Sequence, residues 1–222
     1  MTLAIFDIDG TLVEGSTERR FWRYLLKRGH QGPRQVAAYV WFWLRYLPVY
    51  GRLTAKKNKA YLYKLKTARV RQLAASFVAE EIVPRLYAPA VQRLQNHLRR
   101  GDTVVLLSGT LEPIAEEIAR FLAVSHVRAT VCRERGGRYG VGPPELHPFG
   151  AMKRAVAAQF AAEIGANLAD ATAYGDSQDD LDLLQAVRDP VAVMPDRPLL
   201  ETARGNQWLI IRSRNAPGAL PP

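Results

Sequence analysis

Apolar residues follow two rhythms along this chain. One is the short unbroken run: Leu3 to Phe6, Thr103 to Leu107, Val127 to Cys132, Ala171 to Tyr174, Pro190 to Val193 and Trp208 to Ile211. Runs of this length read as strands buried on both faces of a parallel sheet. The other is helical spacing, in stretches that lie between those runs. Glu18 to Lys27 gathers Phe21, Trp22, Leu25 and Leu26 on one side, after a capping Ser16 or Thr17. Ala90 to Arg100 ends at Gly101, and Pro113 to Leu122, Ala151 to Ile164 and Asp180 to Val187 follow. Strand and helix alternate from Thr103 onward, interrupted by a Gly-Gly hairpin within Arg133 to Val141. Such alternation predicts an α/β fold, a doubly wound parallel sheet of Rossmann-like kind.

The pattern breaks between the first two strands. Gly29 to Pro33 ends the first helix, and Val36 to Tyr50 is apolar on nearly every face except for Arg45 and Pro48. It is too short and too interrupted to span a bilayer, which takes roughly 20 apolar residues. The expectation is a helix buried inside a small helical module, with a lipid-touching surface as the sharper alternative. Thr54 to Leu73 reads as a basic helix, and Phe77 to Leu86 as a helix that Pro84 kinks or restarts. The predicted organisation is a core of residues 1–14 and 82–212, an all-helical insert at 15–81, and a disordered Pro- and Gly-rich tail at 213–222.

Composition changes the picture only through charge. Of 222 residues, 48% are apolar and 23% charged, as in ordinary globular proteins. The net charge of +10 is concentrated: residues 15–79 carry 15 basic and one acidic residue, a net +14. The remainder, with 16 basic and 20 acidic residues, is −4. A block of this kind implies an anionic partner, whether a phosphorylated substrate, a membrane surface or nucleic acid. Asp7 and Asp9 interrupt the sole early apolar run, so no secretory leader is expected, and the single Cys132 fits a reducing cytoplasm.

The candidate chemistry sits at strand ends. Leu3 to Phe6 runs into Asp7-Ile8-Asp9-Gly10-Thr11. Unpaired buried charge is costly, so two acids there suggest a cation, and ligands of open α/β sheets bind at the carboxyl ends of strands. A turn with solvated acids is the bland alternative, and a calcium loop fits poorly because Thr11 and Leu12 occupy later ligand and turn positions. Thr103 to Leu107 ends in Ser108-Gly109-Thr110 before a helix, an arrangement that suits an anion or an ordinary turn. Lys153 lies in the first turn of its helix, the wrong end for a cation unless it is exposed or serves an anion. Ala171 to Tyr174 ends in Gly175-Asp176-Ser177-Gln178-Asp179-Asp180, where helix capping is the simple explanation.

Taken in order, Asp-x-Asp-Gly-Thr, Ser-Gly-Thr, Gly-x-x-Lys (Gly150 to Lys153) and Gly-Asp-Ser-x-x-Asp resemble the four motifs of the haloacid dehalogenase-like (HAD) phosphatases. The insert resembles the helical cap of their phosphoserine-phosphatase-like branch (subfamily IB). The stretch Val191 to Asp196 with the Trp208 strand resembles bacterial hydrolases of that branch. The resemblance implies a Mg²⁺-dependent phosphomonoesterase acting through an aspartyl-phosphate on a small phosphorylated metabolite. It implies Asp7 as nucleophile and Asp9 as acid and base. Asp7, the Asp9 carbonyl and Asp176 become Mg²⁺ ligands, with Asp180 holding a water of the shell. Gly10, Thr11, Ser108, Gly109 and Lys153 become the phosphate cradle, Ser108 and Lys153 also stabilising developing charge. Where phosphoserine phosphatases place a substrate-binding Glu, nine residues past the nucleophile, this chain has Ser16. The +14 insert with few acids argues against a cationic amino group as the main handle and suits a second anionic group, or an amphiphilic phosphate such as a lysophosphatidate. The alternatives within reach are a phosphotransferase, a lysophospholipid-type phosphatase, or a basic membrane- or RNA-associated binding protein. An intact set of four acids weighs against that last class, and against nucleic acid as partner.

Overall fold

The computed structural model describes residues 2–212, so the predicted disordered tail lies outside the described residues. Its strands are β1 (Leu3–Phe6), β2 (Thr103–Leu111), β3 (His126–Thr130), β4 (Glu134–Arg135), β5 (Arg138–Tyr139), β6 (Thr172–Gly175), β7 (Asp189–Val193) and β8 (Leu209–Ile211). Six of them form a parallel sheet in the order β3-β2-β1-β6-β7-β8, while β4 and β5 make the Gly136-Gly137 hairpin. The chain is thus an α/β protein of Rossmann-like kind, with β1 at the point where the strand order reverses.

Alternate residues of the strands feed two cores. Ala4, Phe6, Val104 and Leu106 point to one face, beneath α5 (Ala88–Arg99) and α6 (Glu112–Phe121). Leu3, Ile5, Val105 and Leu107 point to the other, against α7 (Met152–Glu163), α8 (Leu181–Leu184) and α9 (Arg197–Gly205). Helix α9 was not anticipated from the sequence. Asp196 caps it, accepting from Leu199 N at 2.9 Å, with Pro198 in its first turn and Leu199 and Ala203 buried. Strand β2 also runs further than TVVLL, continuing through Ser108-Gly109-Thr110 to Leu111. Helix α8 is shorter than Asp180 to Val187: residues 178–180 form a 3-10 turn before it, and it ends at Leu184 in a turn.

The insert between β1 and α5 is helical: α1 (Thr17–Lys27), α2 (Pro33–Tyr50), α3 (Thr54–Lys57) and α4 (Thr67–Phe77). Thr54 to Leu73 is not one helix. Buried Asn58 turns the chain after α3 by donating to Tyr39 O and accepting from Ala60 N, and Lys64 takes a positive φ. Phe77 to Leu86 splits into the end of α4, a π turn at Val78–Ile82 and a 3-10 turn at Val83–Arg85. Helix α2 is not enclosed either: only Gln35, Ala38 and Phe42 are buried. Among the described residues no helix is long and apolar enough to cross a membrane. The two passages between insert and sheet lie side by side, with Glu14 N donating to Arg85 O at 3.1 Å and Tyr87 N to Leu12 O at 2.8 Å.

Candidate active site

Register decides what meets at the sheet's carboxyl edge. Phe6 stands opposite Leu106 on one side and Tyr174 on the other, so the chain after β1 and the chain after β6 leave the sheet together. Asp7, Asp176 and Asp180 converge there, each offering a carboxylate oxygen within 4.8 Å of the others. Gly10, at φ +85°, makes this possible: a Cβ on it would lie 2.0 Å from Asp176 Oδ2. The turn after β6 folds back so that Asp180 Oδ2 accepts from Asp176 N at 3.0 Å and Ser177 N at 3.2 Å. Asp180 is buried, whereas neighbouring Asp179 faces solvent. Asp196 supports the same turn from outside, since its Oδ2 accepts from Gln178 N at 3.2 Å.

Lys153 is neither exposed nor isolated. It is 4% exposed, and its ammonium donates to Asp7 Oδ1 at 2.7 Å and also to Asp180 Oδ1. Burial alone would lower its pKa, but Asp180 and Asp7 more than offset this and raise it. One ammonium does not balance three acids. Burial chiefly, despite the opposing pull of Lys153, lifts the Asp7 carboxyl to about 7. Burial, together with the charges of Asp7 and Asp180, lifts Asp176 to about 9. Hard oxygen donors with surplus negative charge suit a small divalent cation.

Asp9 stands apart from the trio. Its Oδ1 accepts from Thr17 N at 2.9 Å, and the Thr17 hydroxyl is bonded to that of Thr110 at 3.1 Å. Burial raises its pKa, with the Thr17 hydrogen bonds pulling the other way. Ser108 is buried, and its hydroxyl donates to Thr110 Oγ1 at 3.2 Å. Gly109 O accepts from Thr130 Oγ1 at 2.7 Å. With that proton committed, Thr130 must accept from His147 Nδ1 at 2.8 Å, which fixes the tautomer of a buried, neutral imidazole. Thr11 is fully buried with no partner for its hydroxyl among the described residues.

Sequence reasoning named Asp7, Asp9, Gly10, Thr11, Ser108, Gly109, Lys153, Asp176 and Asp180, and the fold gathers these around one edge. It did not find Thr17, Thr130, His147 or the supporting Asp196 as site residues. Thr17 had only its place beside the helix cap as a signal, and Thr130 and His147 had none. The insert overhangs this edge. Lys56 Nζ lies 4.7 Å from the Phe149 ring, and that ring packs beside Gly109. Neither Lys56 nor Lys57 has a carboxylate partner among the described residues, whereas the buried Lys59 pairs with Glu18, the one acid between residues 15 and 79.

Comparison with known proteins agrees in kind. The family profile of haloacid dehalogenase-like hydrolases matches residues 4–185. A histidinol-phosphatase of Neisseria meningitidis is 29% identical over 219 residues, 94% of this chain and 97% of that one. A phosphoserine phosphatase of Mycobacterium tuberculosis is 29% identical over 221 residues, 93% of this chain and 69% of that one. Among solved structures, a Bordetella pertussis protein of unknown function superposes with a TM-score of 0.81 at 28% identity, covering 95% of this chain and 99% of that one. An apo phosphoserine phosphatase shares the fold at a TM-score of 0.67 and 19% identity, over 96% and 94% of the two chains.

Proposed function

Because the chain belongs to the haloacid dehalogenase-like hydrolases and is a phosphatase of that family, we propose that it cleaves phosphomonoesters through an aspartyl-phosphate on Asp7, with Mg²⁺ as cofactor. The observation that carries this reading is the meeting of Asp7, Asp176 and Asp180 around one Lys153, with Asp9 held separately by Thr17. Asp7 Oδ2 attacks phosphorus, and the ester oxygen leaves with a proton from Asp9. Asp9, once deprotonated, takes a proton from the water that hydrolyses the acyl phosphate, and the cycle closes. The raised pKa of Asp9 keeps that proton available nearer neutrality than an exposed carboxyl would.

Asp7, the Asp9 carbonyl and Asp176 would hold Mg²⁺, with Asp180 holding a water of its shell, and the ion when bound would neutralise charge on the phosphoryl oxygens. Lys153 and Ser108 hold the same oxygens from the protein side, beside the turn at Gly10 and Gly109. Residues 15–81 act as a cap over the edge.

The substrate class follows from the cap's charges. Glu18 is committed to Lys59, Glu80 to Arg28 and Glu81 to Arg85, so no free carboxylate in the cap awaits a substrate ammonium. Lys56, over the Phe149 ring, and Lys57, over the Tyr50 ring, have no carboxylate partner among the described residues, which favours a small phosphorylated metabolite whose leaving group carries a second anion. The test is a panel of phosphorylated metabolites assayed with Mg²⁺ and with EDTA, with Asp7→Asn alongside. Turnover that needs Mg²⁺ and vanishes in the variant is expected. Near wild-type turnover in Asp7→Asn sinks the mechanism.

A further inference from the structure

Helix α2 wears its apolar face outward. Its buried positions are Gln35, Ala38 and Phe42, all on one side. The opposite side is Pro33, Val36, Ala37, Val40, Leu44, Leu47 and Pro48, every one of them exposed and none polar. Leu44, in the middle of the row, is 76% exposed. Spacings of four, four and three residues put Val36, Val40, Leu44 and Leu47 in a single stripe. A water-facing helix ordinarily shows the reverse arrangement, because exposed aliphatic surface is costly in water. Exposed Leu53 follows the helix end, and exposed Trp22 of α1 stacks its ring on Tyr39 of α2.

The charges that border the stripe have one sign. Arg34 and Arg45 sit on one flank with exposed Trp41 between them, and Arg52 follows the helix. Between residues 19 and 79 there is no acid at all. A second copy of the chain is a poor occupant, since a two-fold contact would set these arginines against themselves with nothing to neutralise them. A convex aliphatic ridge bordered by Arg and Trp has the build of a helix lying in a lipid headgroup region, apolar side down and cations among the phosphates.

We infer that the outer face of α2 docks this protein onto an anionic lipid surface, as an interfacial contact that does not cross the bilayer. The inference stands on the exposed stripe and its charges, independently of the phosphatase reading. Flotation with phosphatidylcholine vesicles, and with vesicles containing phosphatidylglycerol, tests it on the full chain. Partitioning to the anionic vesicles is expected, with Arg34→Ser/Arg45→Ser weakening it on the order of tenfold and added salt weakening it further. Leu44→Glu/Leu47→Glu should abolish it while leaving the thermal melt intact and any turnover of a soluble phosphoester unchanged, since neither residue touches the site. Trp fluorescence quenched by brominated lipid in the wild type, and less so in Trp41→Phe, would place the ridge at the acyl boundary. Three results overturn the inference: no flotation with anionic vesicles, flotation equally strong in Leu44→Glu/Leu47→Glu, or a lipid-free dimer that this variant dissociates. The last would assign the face to a second copy.

Discussion

Gly10 and Asp176 occupy one another's space: a Cβ on the glycine would stand 2.0 Å from the carboxylate oxygen of the aspartate. The missing side chain is what lets a carboxylate from β6 approach the turn after β1. Gly10→Ala therefore meets two obstacles, a φ of +85° and a displaced Asp176. The backbone strain costs about 1 kcal/mol. The larger effect falls on the metal, and we expect the Mg²⁺ dependence of turnover to shift at least about tenfold, as for disturbed ligand shells. Titration of activity against Mg²⁺, beside a urea melt, separates the two. An unchanged Mg²⁺ midpoint would contradict the proposed ligand set.

The acids predict a slope of stability with pH in metal-free protein. In the folded chain Asp7 titrates at about 7 and Asp176 at about 9, both far above the unfolded value of 3.8. Between those limits the folded state holds protons that the unfolded chain has released. Stability must fall as pH rises from about 4 toward about 9, then level off. Mg²⁺ should oppose the loss most at the alkaline end. Melting curves in EDTA and in Mg²⁺ across that range show it directly, and Asp176→Asn should flatten the EDTA series.

Lys153 is caught between two carboxylates, so its removal acts twice. Lys153→Met leaves Asp7 and Asp180 facing each other without a cation. Loss of one partner from a buried ion pair costs about 3–5 kcal/mol, and the loss should be smaller at pH 6, where Asp7 can take up a proton. Turnover should fall by roughly 10² to 10³, the usual effect of deleting one charge-stabilising donor. Stability measured at pH 6 and pH 8 with kcat distinguishes this from a general packing defect.

Thr17 sets the acidity of Asp9. Hydrogen bonds from the Thr17 hydroxyl and backbone N–H lower a pKa that burial has raised, so Thr17→Val, which removes the hydroxyl and keeps the N–H, must raise it further. The limb of the pH–rate profile that belongs to Asp9 should then move to higher pH, with KM little changed. A profile that keeps its limb but drops in height would point to misplacement of α1 instead.

Lys56 and Lys57 should matter only to some substrates. For a leaving group bearing a carboxylate or second phosphate, Lys56→Ala/Lys57→Ala should raise KM by up to about fivefold per residue, the ordinary worth of an exposed charge. For p-nitrophenyl phosphate no change is expected. An equal effect on both would remove these lysines from substrate selection.

Much of this was legible from the chain alone, and the reason is local. Continuous apolar runs that end in Asp7, Ser108 and Asp176 mark both a buried strand and its functional edge, because parallel strands are apolar on both faces and bind at their carboxyl ends. Lys153 looked misplaced in the first turn of a helix, and the misfit was itself the clue. Where the reading failed, the deciding contact was distant in sequence. Lysines of good helix propensity predicted one helix over Thr54 to Leu73, yet Asn58 bonds to Tyr39 and breaks it. The apolar character of Val36 to Tyr50 said that the helix had no polar side. It could not say that the side turned to its neighbours would be the smaller one. Helix α9 hid behind Arg197 and Pro198, although Asp196 and Pro198 form an ordinary helix start.

The paired passages at Glu14–Arg85 and Leu12–Tyr87 bear on how such proteins diversify. Both ends of a long insertion depart from the sheet within one hydrogen bond of each other. To the strands it is a single closed loop, and the entropy of closing a loop grows by only about 0.6 kcal/mol for each doubling of its length. Segments of quite different size can be spliced at this one junction while Asp7, Asp176 and Lys153 keep their places. Evolution can thus exchange the insert without reopening the site gathered at the edge of the sheet.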